Sequence, residues 1–211
     1  MISVLFENKD FIACVKPIGI PSQNDGKDDM VKLLSSLLNC SIFPVHRLDT
    51  AVGGTMVFAK NSSAAAKLSK EITDNRFIKE YLAVINGVPE QDSGTFEDLL
   101  FKDSKSNKSY VVKRERKGVK KAKLDYTVSA ADNGYSLVKV RLHTGRSHQI
   151  RVQFSSRKMP LVGDGKYGGS DNRCSVALWS YSVSFTFDNQ LYTFSSTPPD
   201  DFPWNRFEII K

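Results

Sequence analysis

An Asn-Gly pair between two segments of alternating hydrophobicity is the feature that most restricts how this chain can fold. Residues 122–129 and 135–142 both alternate apolar with polar side chains, and the turn sequence Ala131-Asp132-Asn133-Gly134 separates them. Asn and Gly tolerate the positive φ angles of a two-residue hairpin turn, so the two segments are predicted to pair as antiparallel strands. Such a hairpin favours an antiparallel sheet over a series of βαβ units.

The remaining local patterns predict short strands and a few helices. The N-terminal residues through Pro17 are interpreted as a first strand, with its clearest part at residues 12–15. Further strands are predicted at residues 55–59, 81–88 and 176–194, helices after the capping residues Asp28 and Ser62, one short amphipathic helix after Gly145, and a loop marked by Gly19, Pro21 and Gly26. This pattern predicts an α+β fold: a mixed, mostly antiparallel β-sheet flanked by helices.

Composition excludes several classes of protein. At 40% hydrophobic residues the 211-residue chain can bury a sizeable core, yet it contains no apolar window long enough to span a membrane. Acidic residues interrupt the N-terminal apolar run, which is untypical of a signal peptide. Cys14, Cys40 and Cys174 lie far apart without a CxxC motif, which disfavours a disulfide framework or a zinc ribbon and favours the cytoplasm. The sequence lacks GxxxxGK[ST], which disfavours NTPases.

Positive charge is concentrated in residues 102–123, which we call the basic segment. It contains ten basic residues and two acidic ones, a balance of +8, while the whole chain carries +7. A patch that follows a phosphate backbone would produce this distribution, and a solvated loop or hairpin would produce it equally well. The candidate RNA contacts in the segment are Lys113, Arg114, Lys120 and Lys121.

Three motifs could carry chemistry: His46-Arg47-Leu48-Asp49, Lys79-Glu80-Tyr81-Leu82-Ala83, and TGRSHQIR at residues 144–151. Taken singly, each has an ordinary structural explanation as an ion pair, a packed tyrosine or a surface arginine. In this order and with this spacing, they resemble the motifs of the RluA-type pseudouridine synthases. The resemblance also covers the KPxG turn at residues 16–19, residues 76–87, and the segment PLVGDGKYG at residues 160–168.

The resemblance implies a catalyst that isomerises specific uridines in structured RNA, either rRNA or tRNA. It further implies a central RNA-binding cleft and a monomer. Neither an obligate protein partner nor a membrane contact is expected. Because the first strand begins almost at Met1, we expect a single catalytic domain over residues 1–211 without the N-terminal RNA-binding module that is frequent in the family. Breaking the bond from N1 to C1′ and joining C5 to C1′ involves no redox change, so no cofactor or metal is expected.

The resemblance also assigns roles to individual residues. Asp49 is the expected nucleophile or charge stabiliser at the ribose, and Arg151 the guanidinium that keeps it ionised. Tyr81 is expected to stack on the flipped uracil, with Leu178 on the other side, and Arg47 to enter the space that the base leaves. The same motifs contribute the remaining predicted RNA contacts: His46, Leu48, Arg146, His148 and Gln149.

Three positions depart from the pattern of the family. Val52-Gly53 replaces the usual Thr-Ser, Gln153 replaces a His after QIR, and Trp179 replaces a late His. None of these changes removes Asp49, Tyr81 or Arg151, so activity is expected, whereas local positioning and RNA preference are expected to be affected.

Two other classes of function compete with this interpretation. A metal-dependent hydrolase could use His46, His143, His148, Asp49 and Asp164, although His143 and His148 are five residues apart and do not present two imidazoles to one ion. A non-catalytic RNA-binding protein could keep the fold and the basic segment, and the expected sign of that would be the loss of Asp49, which is present.

Overall fold

The computed structural model describes residues 2–23, 28–169 and 171–209, and the predicted loop residue Gly26 lies outside them. The described residues fall into two units: residues 2–79 with 179–198, and residues 80–178 with 199–209. In chain order the elements are β1 (Ser3–Glu7), β2 (Phe11–Lys16), α1 (Met30–Leu38), β3 (Phe43–Pro44), β4 (Gly53–Ala59), α2 (Ser62–Thr73), β5 (Ile78–Asn86), β6 (Ser93–Asp103), β7 (Lys108–Val112), β8 (Val119–Asp132), β9 (Tyr135–Leu142), α3 (Gln149–Ser155), β10 (Leu178–Phe187), β11 (Gln190–Ser195) and the 3-10 turn Trp204–Arg206.

The first unit is a sheet in the order β1-β2-β4-β10, with β11 beside β10 and β3 beside β4. Its pairs are antiparallel except β4 with β10, which run parallel. Phe11, Phe77 and Phe185 form the aromatic part of its core, and Leu68 of α2 packs into the same cluster. The rings of Phe77 and Phe185 stack with their centroids 5.1 Å apart.

Local capping chemistry explains both helices of this unit. The Asp29 carboxylate accepts a hydrogen bond from Lys32 N at the start of α1, and the Asn61 side chain accepts one from Ala64 N at the start of α2. The predicted caps, Asp28 and Ser62, were therefore each wrong by one residue. The N-terminal segment was also predicted as one strand, but the Asn8 side chain accepts from Asp10 N and Phe11 N and folds it into the hairpin β1-β2.

The second unit contains the sheet order β5-β9-β8-β6-β7. The predicted hairpin joins β8 to β9, with positive φ angles of 45° at Asn133 and 80° at Gly134. Helix α3 covers one side of β6 and β8, where Phe154 packs against Phe96 and Tyr126. We call this side the covered face. The opposite side, to which the alternating residues point, is the open face.

The α+β prediction with a mostly antiparallel sheet is confirmed. A further detail was wrong: helix α3 is not amphipathic, because every residue from Gln149 to Phe154 is buried. The basic segment forms the end of β6, all of β7, a turn at residues 113–118 and the beginning of β8. Among the described residues, no helix is both long and apolar enough to cross a membrane.

Candidate functional site

The loop that carries Asp49 lies in the first unit, between β3 and β4, and its backbone is fixed on both sides of Asp49. The buried Ser22 hydroxyl donates to Leu48 O and accepts from Leu48 N, both at 2.9 Å. Gly19 N donates to Thr50 O at 2.8 Å, and Val52 N donates to Asp49 O at 2.9 Å. The carboxylate of a half-buried aspartate is therefore presented from a loop that has little freedom to move.

Lys16 is a second support of this loop. Its side chain is fully buried, and Nζ donates to Pro17 O at 2.8 Å, Ile20 O at 2.6 Å and Thr50 O at 3.3 Å. Burial lowers the pKa of Lys16 to about 8, while the negative charge of Asp49 acts in the opposite direction. The hydrogen bonds of Lys16 thus connect the KPxG turn to the Asp49 loop.

His46 and Leu48 have structural roles in this loop, and the RNA contacts predicted for them stay predictions. Val57 N donates to His46 Nε2 at 3.1 Å, and the imidazole lies 5.3 Å from the Phe77 ring. Burial, assisted by the charge of Lys79, lowers the pKa of His46 to about 3, so the ring is neutral at pH 7. Leu48 is buried in the core, whereas Arg47 between them is exposed.

Two of the departures from the family pattern lie in contact. A Cβ atom at Gly53 would lie 2.4 Å from Cζ3 of Trp179, which is far inside van der Waals contact. The Trp179 ring thus occupies the space that a serine at position 53 would need, and its Nε1 donates to Ser196 O at 2.9 Å. We therefore expect the effects of substitutions at positions 53 and 179 to be coupled.

Tyr81 lies in the second unit, on β5, and is 5% exposed. The preceding residue, Glu80, pairs with Lys139 at 2.9 Å, and Lys139 stands opposite Thr127 on the open face. Because neighbouring residues of a strand point to opposite sides, Tyr81 points to the covered face, the side on which α3 carries Arg151.

Arg151 is held by the buried carboxylate of Asp164. Its Nε lies 2.7 Å from Asp164 Oδ2 and its Nη2 lies 2.8 Å from Asp164 Oδ1, a bidentate pair with both side chains buried. The guanidinium carbon also lies 5.2 Å from the centroid of the Tyr167 ring. The Gly-Asp-Gly spacing after QIR was the available signal, but it did not show which arginine the aspartate would meet.

The TGRSHQ loop before α3 closes onto β8. The Gln149 side chain accepts from Thr144 Oγ1 and Arg146 N and donates to Lys123 O at 3.1 Å. Gln149 is only 3% exposed and stabilises the loop, and the RNA contact predicted for it stays a prediction. His148 adopts a left-handed conformation with a φ of 54°, and its Nδ1 lies 2.9 Å from the Tyr167 hydroxyl.

The other predicted residues divide by exposure. Leu178 is buried at the beginning of β10, whereas Lys113, Arg114, Lys120 and Lys121 are exposed. The third departure, Gln153, is buried and donates to Asp98 Oδ2 at 2.7 Å. Within residues 2–23, 28–169 and 171–209, no three His, Cys, Asp or Glu side chains are grouped so that they could hold a metal ion, so the hydrolase alternative has no such cluster there.

Comparison with known proteins identifies a family whose sequence pattern matches this chain. The family described as RNA pseudouridylate synthase matches residues 10–156. Ribosomal large subunit pseudouridine synthase D of Borreliella burgdorferi is 31% identical over 198 residues, which cover 86% of this chain and 60% of that protein. The tRNA pseudouridine synthase C of Haemophilus ducreyi is 29% identical over 180 residues, or 79% of this chain and 74% of that one.

A solved structure has the same fold. Human RNA Pseudouridylate Synthase Domain Containing 1 aligns with a TM-score of 0.81 at 23% identity, over 96% of this chain and 85% of that one.

Proposed function

The chain belongs to the RNA pseudouridylate synthase family, and we propose that it isomerises uridine to pseudouridine in a structured RNA. The observation that carries this proposal is the family match over residues 10–156, because this range includes Asp49, Tyr81 and Arg151. The rigid mounting of the Asp49 loop supports it, since a reacting carboxylate has to be held in position before the substrate arrives.

The reaction needs only what these side chains can supply. The bond between N1 and C1′ of the nucleoside breaks, the uracil turns, C5 bonds to C1′, and the proton on C5 is replaced by one on N1. In our proposal the Asp49 carboxylate attacks or stabilises the electron-poor ribose, as carboxylates do in glycoside chemistry. Atoms and electrons balance without an oxidant, so the proposal includes no cofactor or metal.

Arg151 would keep Asp49 ionised in the presence of substrate, and Asp164 would hold Arg151 in the correct orientation. A buried arginine with a bidentate carboxylate partner is restricted to one orientation. Asp164 is therefore proposed as a positioning residue for Arg151.

Tyr81 would supply the wall against which the extruded uracil stacks, with Leu178 on the other side. Extruding a base from an RNA helix costs a few kcal/mol, and an arginine that fills the vacancy recovers part of this cost. The exposed Arg47, directly beside Asp49, is the proposed filler. Arg146 and His148 are proposed to contact the RNA from the TGRSHQ loop.

The RNA substrate is proposed to be rRNA or tRNA, since the Borreliella burgdorferi relative is named for large-subunit rRNA and the Haemophilus ducreyi relative for tRNA. We propose that residues 1–211 act as one catalytic domain, as a monomer and without an obligate protein partner. The three free cysteines support a cytoplasmic location.

The experiment is a map of pseudouridines in total RNA by carbodiimide modification, in cells with and without the gene. We expect one or more sites in rRNA or tRNA to disappear with the gene and to return when the wild-type gene is restored. A complementing copy with Asp49→Asn should leave these sites unmodified, whereas a copy with the surface substitution Asp188→Asn should restore them. Identical maps with and without the gene would contradict the proposal.

A further inference from the structure

A groove lies on the open face of the second unit, apart from Tyr81 and Arg151, which belong to the covered side. Its volume is about 470 Å³, and it is lined by Leu99, Glu115, Arg116, Val119 and Lys121. We call it the open-face groove. The volume falls within the range of about 300–1,000 Å³ that is typical of sites for small organic groups.

Aromatic rings and cationic side chains lie on the same face of the sheet as this groove. The Arg116 guanidinium lies 4.7 Å from the centroid of the Phe101 ring. Because a guanidinium is planar, it offers a flat surface for stacking. Tyr110 stands directly opposite Phe101 in the antiparallel pair β6-β7, and it is 43% exposed. Lys108 Nζ lies 5.8 Å from the centroid of the Tyr110 ring. An exposed aromatic ring beside cations is the arrangement that single-stranded nucleic acids use for stacking.

The Arg116 backbone is held by its turn. Val119 N donates to Arg116 O at 3.0 Å across the turn, and Gly118 takes a φ of 88° that favours glycine. A Cβ atom at Gly118 would lie 3.5 Å from the Phe101 ring, so the turn packs directly over this ring. Because this hydrogen bond and this packing restrain the turn, less entropy is lost when Arg116 is used for recognition.

The groove is joined to the TGRSHQ loop by backbone contacts. Arg146 Nε donates to Lys121 O at 2.9 Å, and the Gln149 amide donates to Lys123 O. The strand β8 therefore forms a wall of the groove and also the support of the motif loop. An RNA that contacts this loop would have its neighbouring nucleotides within reach of the groove.

We propose that the open-face groove binds an unpaired nucleotide of the RNA substrate, separate from the target uridine. The base would stack on Arg116 and the neighbouring aromatic rings, and a phosphate would contact Lys121. An unpaired nucleotide is required because bases within a duplex hide their faces in the stack. This inference rests on the proposed function, and it adds that the substrate carries a single-stranded nucleotide near the modified one.

The test measures binding of a fluorescein-labelled oligouridylate by fluorescence anisotropy, with an RNA duplex of equal length as comparison. Arg116→Ala should weaken binding of the single strand by about tenfold, because stacking of one base is worth roughly 1–3 kcal/mol. Lys117→Ala is the matched control, since it removes one positive charge from the same turn without touching the groove. It should weaken binding by less than about threefold. Arg116→Lys keeps the charge and should still lose most of the affinity.

Photo-crosslinking locates the base directly. An oligouridylate that carries 5-iodouridine should crosslink to Tyr110 or Phe101, and the crosslinked peptide is identified by mass spectrometry. Equal losses from Arg116→Ala and Lys117→Ala, equal affinity of wild-type protein for single strand and duplex, or crosslinks confined to other elements would each overturn the inference.

Neither measurement requires turnover. A wild-type protein that forms no pseudouridine but shows the expected binding differences would disprove the proposed function alone. An active wild-type protein without these differences would disprove the groove alone.

Discussion

The motif segments and the basic segment contribute to the proposed RNA chemistry in opposite ways. In the motif segments, buried polar side chains are used for support: Lys16 and Ser22 fix the Asp49 loop, and Asp164 fixes Arg151. In the basic segment, charged side chains remain exposed, and an ion pair such as Lys121 with Glu115 is long, at 3.7 Å, and solvent-accessible. The comparison indicates that the reacting groups depend on a rigid frame, whereas RNA affinity is distributed over many weak, salt-sensitive contacts.

The largest change in stability is expected at the buried pair Arg151–Asp164 in the second unit. Asp164→Ala should lower the free energy of unfolding by about 3–5 kcal/mol, because it leaves the Arg151 charge buried without its bidentate partner. Urea unfolding monitored by circular dichroism measures the loss. The exposed carboxylate of Glu97, which pairs with Lys123, is the control, and Glu97→Ala should change stability little. Similar effects of the two substitutions would show that the buried pair is no stronger a support than a surface one.

The next largest change in stability is expected at Gly53 and Trp179. Gly53→Ser should destabilise the protein by about 1–3 kcal/mol, because the new side chain overlaps the Trp179 ring. In a Trp179→His background the same substitution should cost much less. A double-mutant cycle measured by urea unfolding gives the coupling between the two positions. A coupling near zero would mean that positions 53 and 179 changed independently.

A pH effect should follow from His46. Since its pKa falls from 6.5 in the unfolded chain to about 3 in the folded protein, neutral His46 contributes stability above pH 6.5, and this contribution is lost as the pH decreases toward 3. Wild-type stability should therefore decline by up to about 1.4 kcal/mol per pH unit from this group below pH 6. His46→Gln can still accept from Val57 N and should show a shallower decline in urea unfolding between pH 6 and about 4. Parallel curves would exclude the buried, neutral His46.

The smallest effect for each residue is expected in the basic segment, where substitutions change RNA affinity. Neutralising Lys113, Arg114, Lys120 and Lys121 singly should weaken RNA binding only a few-fold, and each lost phosphate contact should reduce the slope of log affinity against log salt by about one unit. The quadruple substitution should leave the unfolding free energy nearly unchanged. An unchanged salt slope would make the segment a solubilising strand pair, which is the alternative that the sequence left open.

Local signals predicted much of this fold. Asn133-Gly134 defines its hairpin because the required φ angles depend on two adjacent residues. Both helix caps were wrong by one residue because Asp28 and Asp29, like Asn61 and Ser62, have side chains of equal capping ability. Packing of the neighbouring chain decides between them, and a single sequence does not contain that information.

The contacts that complete the candidate site are non-local and were missed. Arg151 and Asp164 are 13 residues apart, on opposite sides of a turn, so no periodic pattern links them. Gly53 and Trp179 belong to different strands that become neighbours only in the parallel pair β4-β10. Gly53 and Trp179 were both visible in the sequence as departures from the family pattern, but their contact depends on the fold.

The central claim, that the supported Asp49 carboxylate isomerises uridine, is tested most directly by pseudouridine formation with purified protein and the RNA identified by mapping. We expect wild-type protein to convert the mapped uridine. Asp49→Asn should reduce the rate by at least about four orders of magnitude, as losing a nucleophile can in other covalent mechanisms, while RNA affinity stays within a few-fold of wild type. Conversion by Asp49→Asn at a rate near that of the wild type would contradict the account.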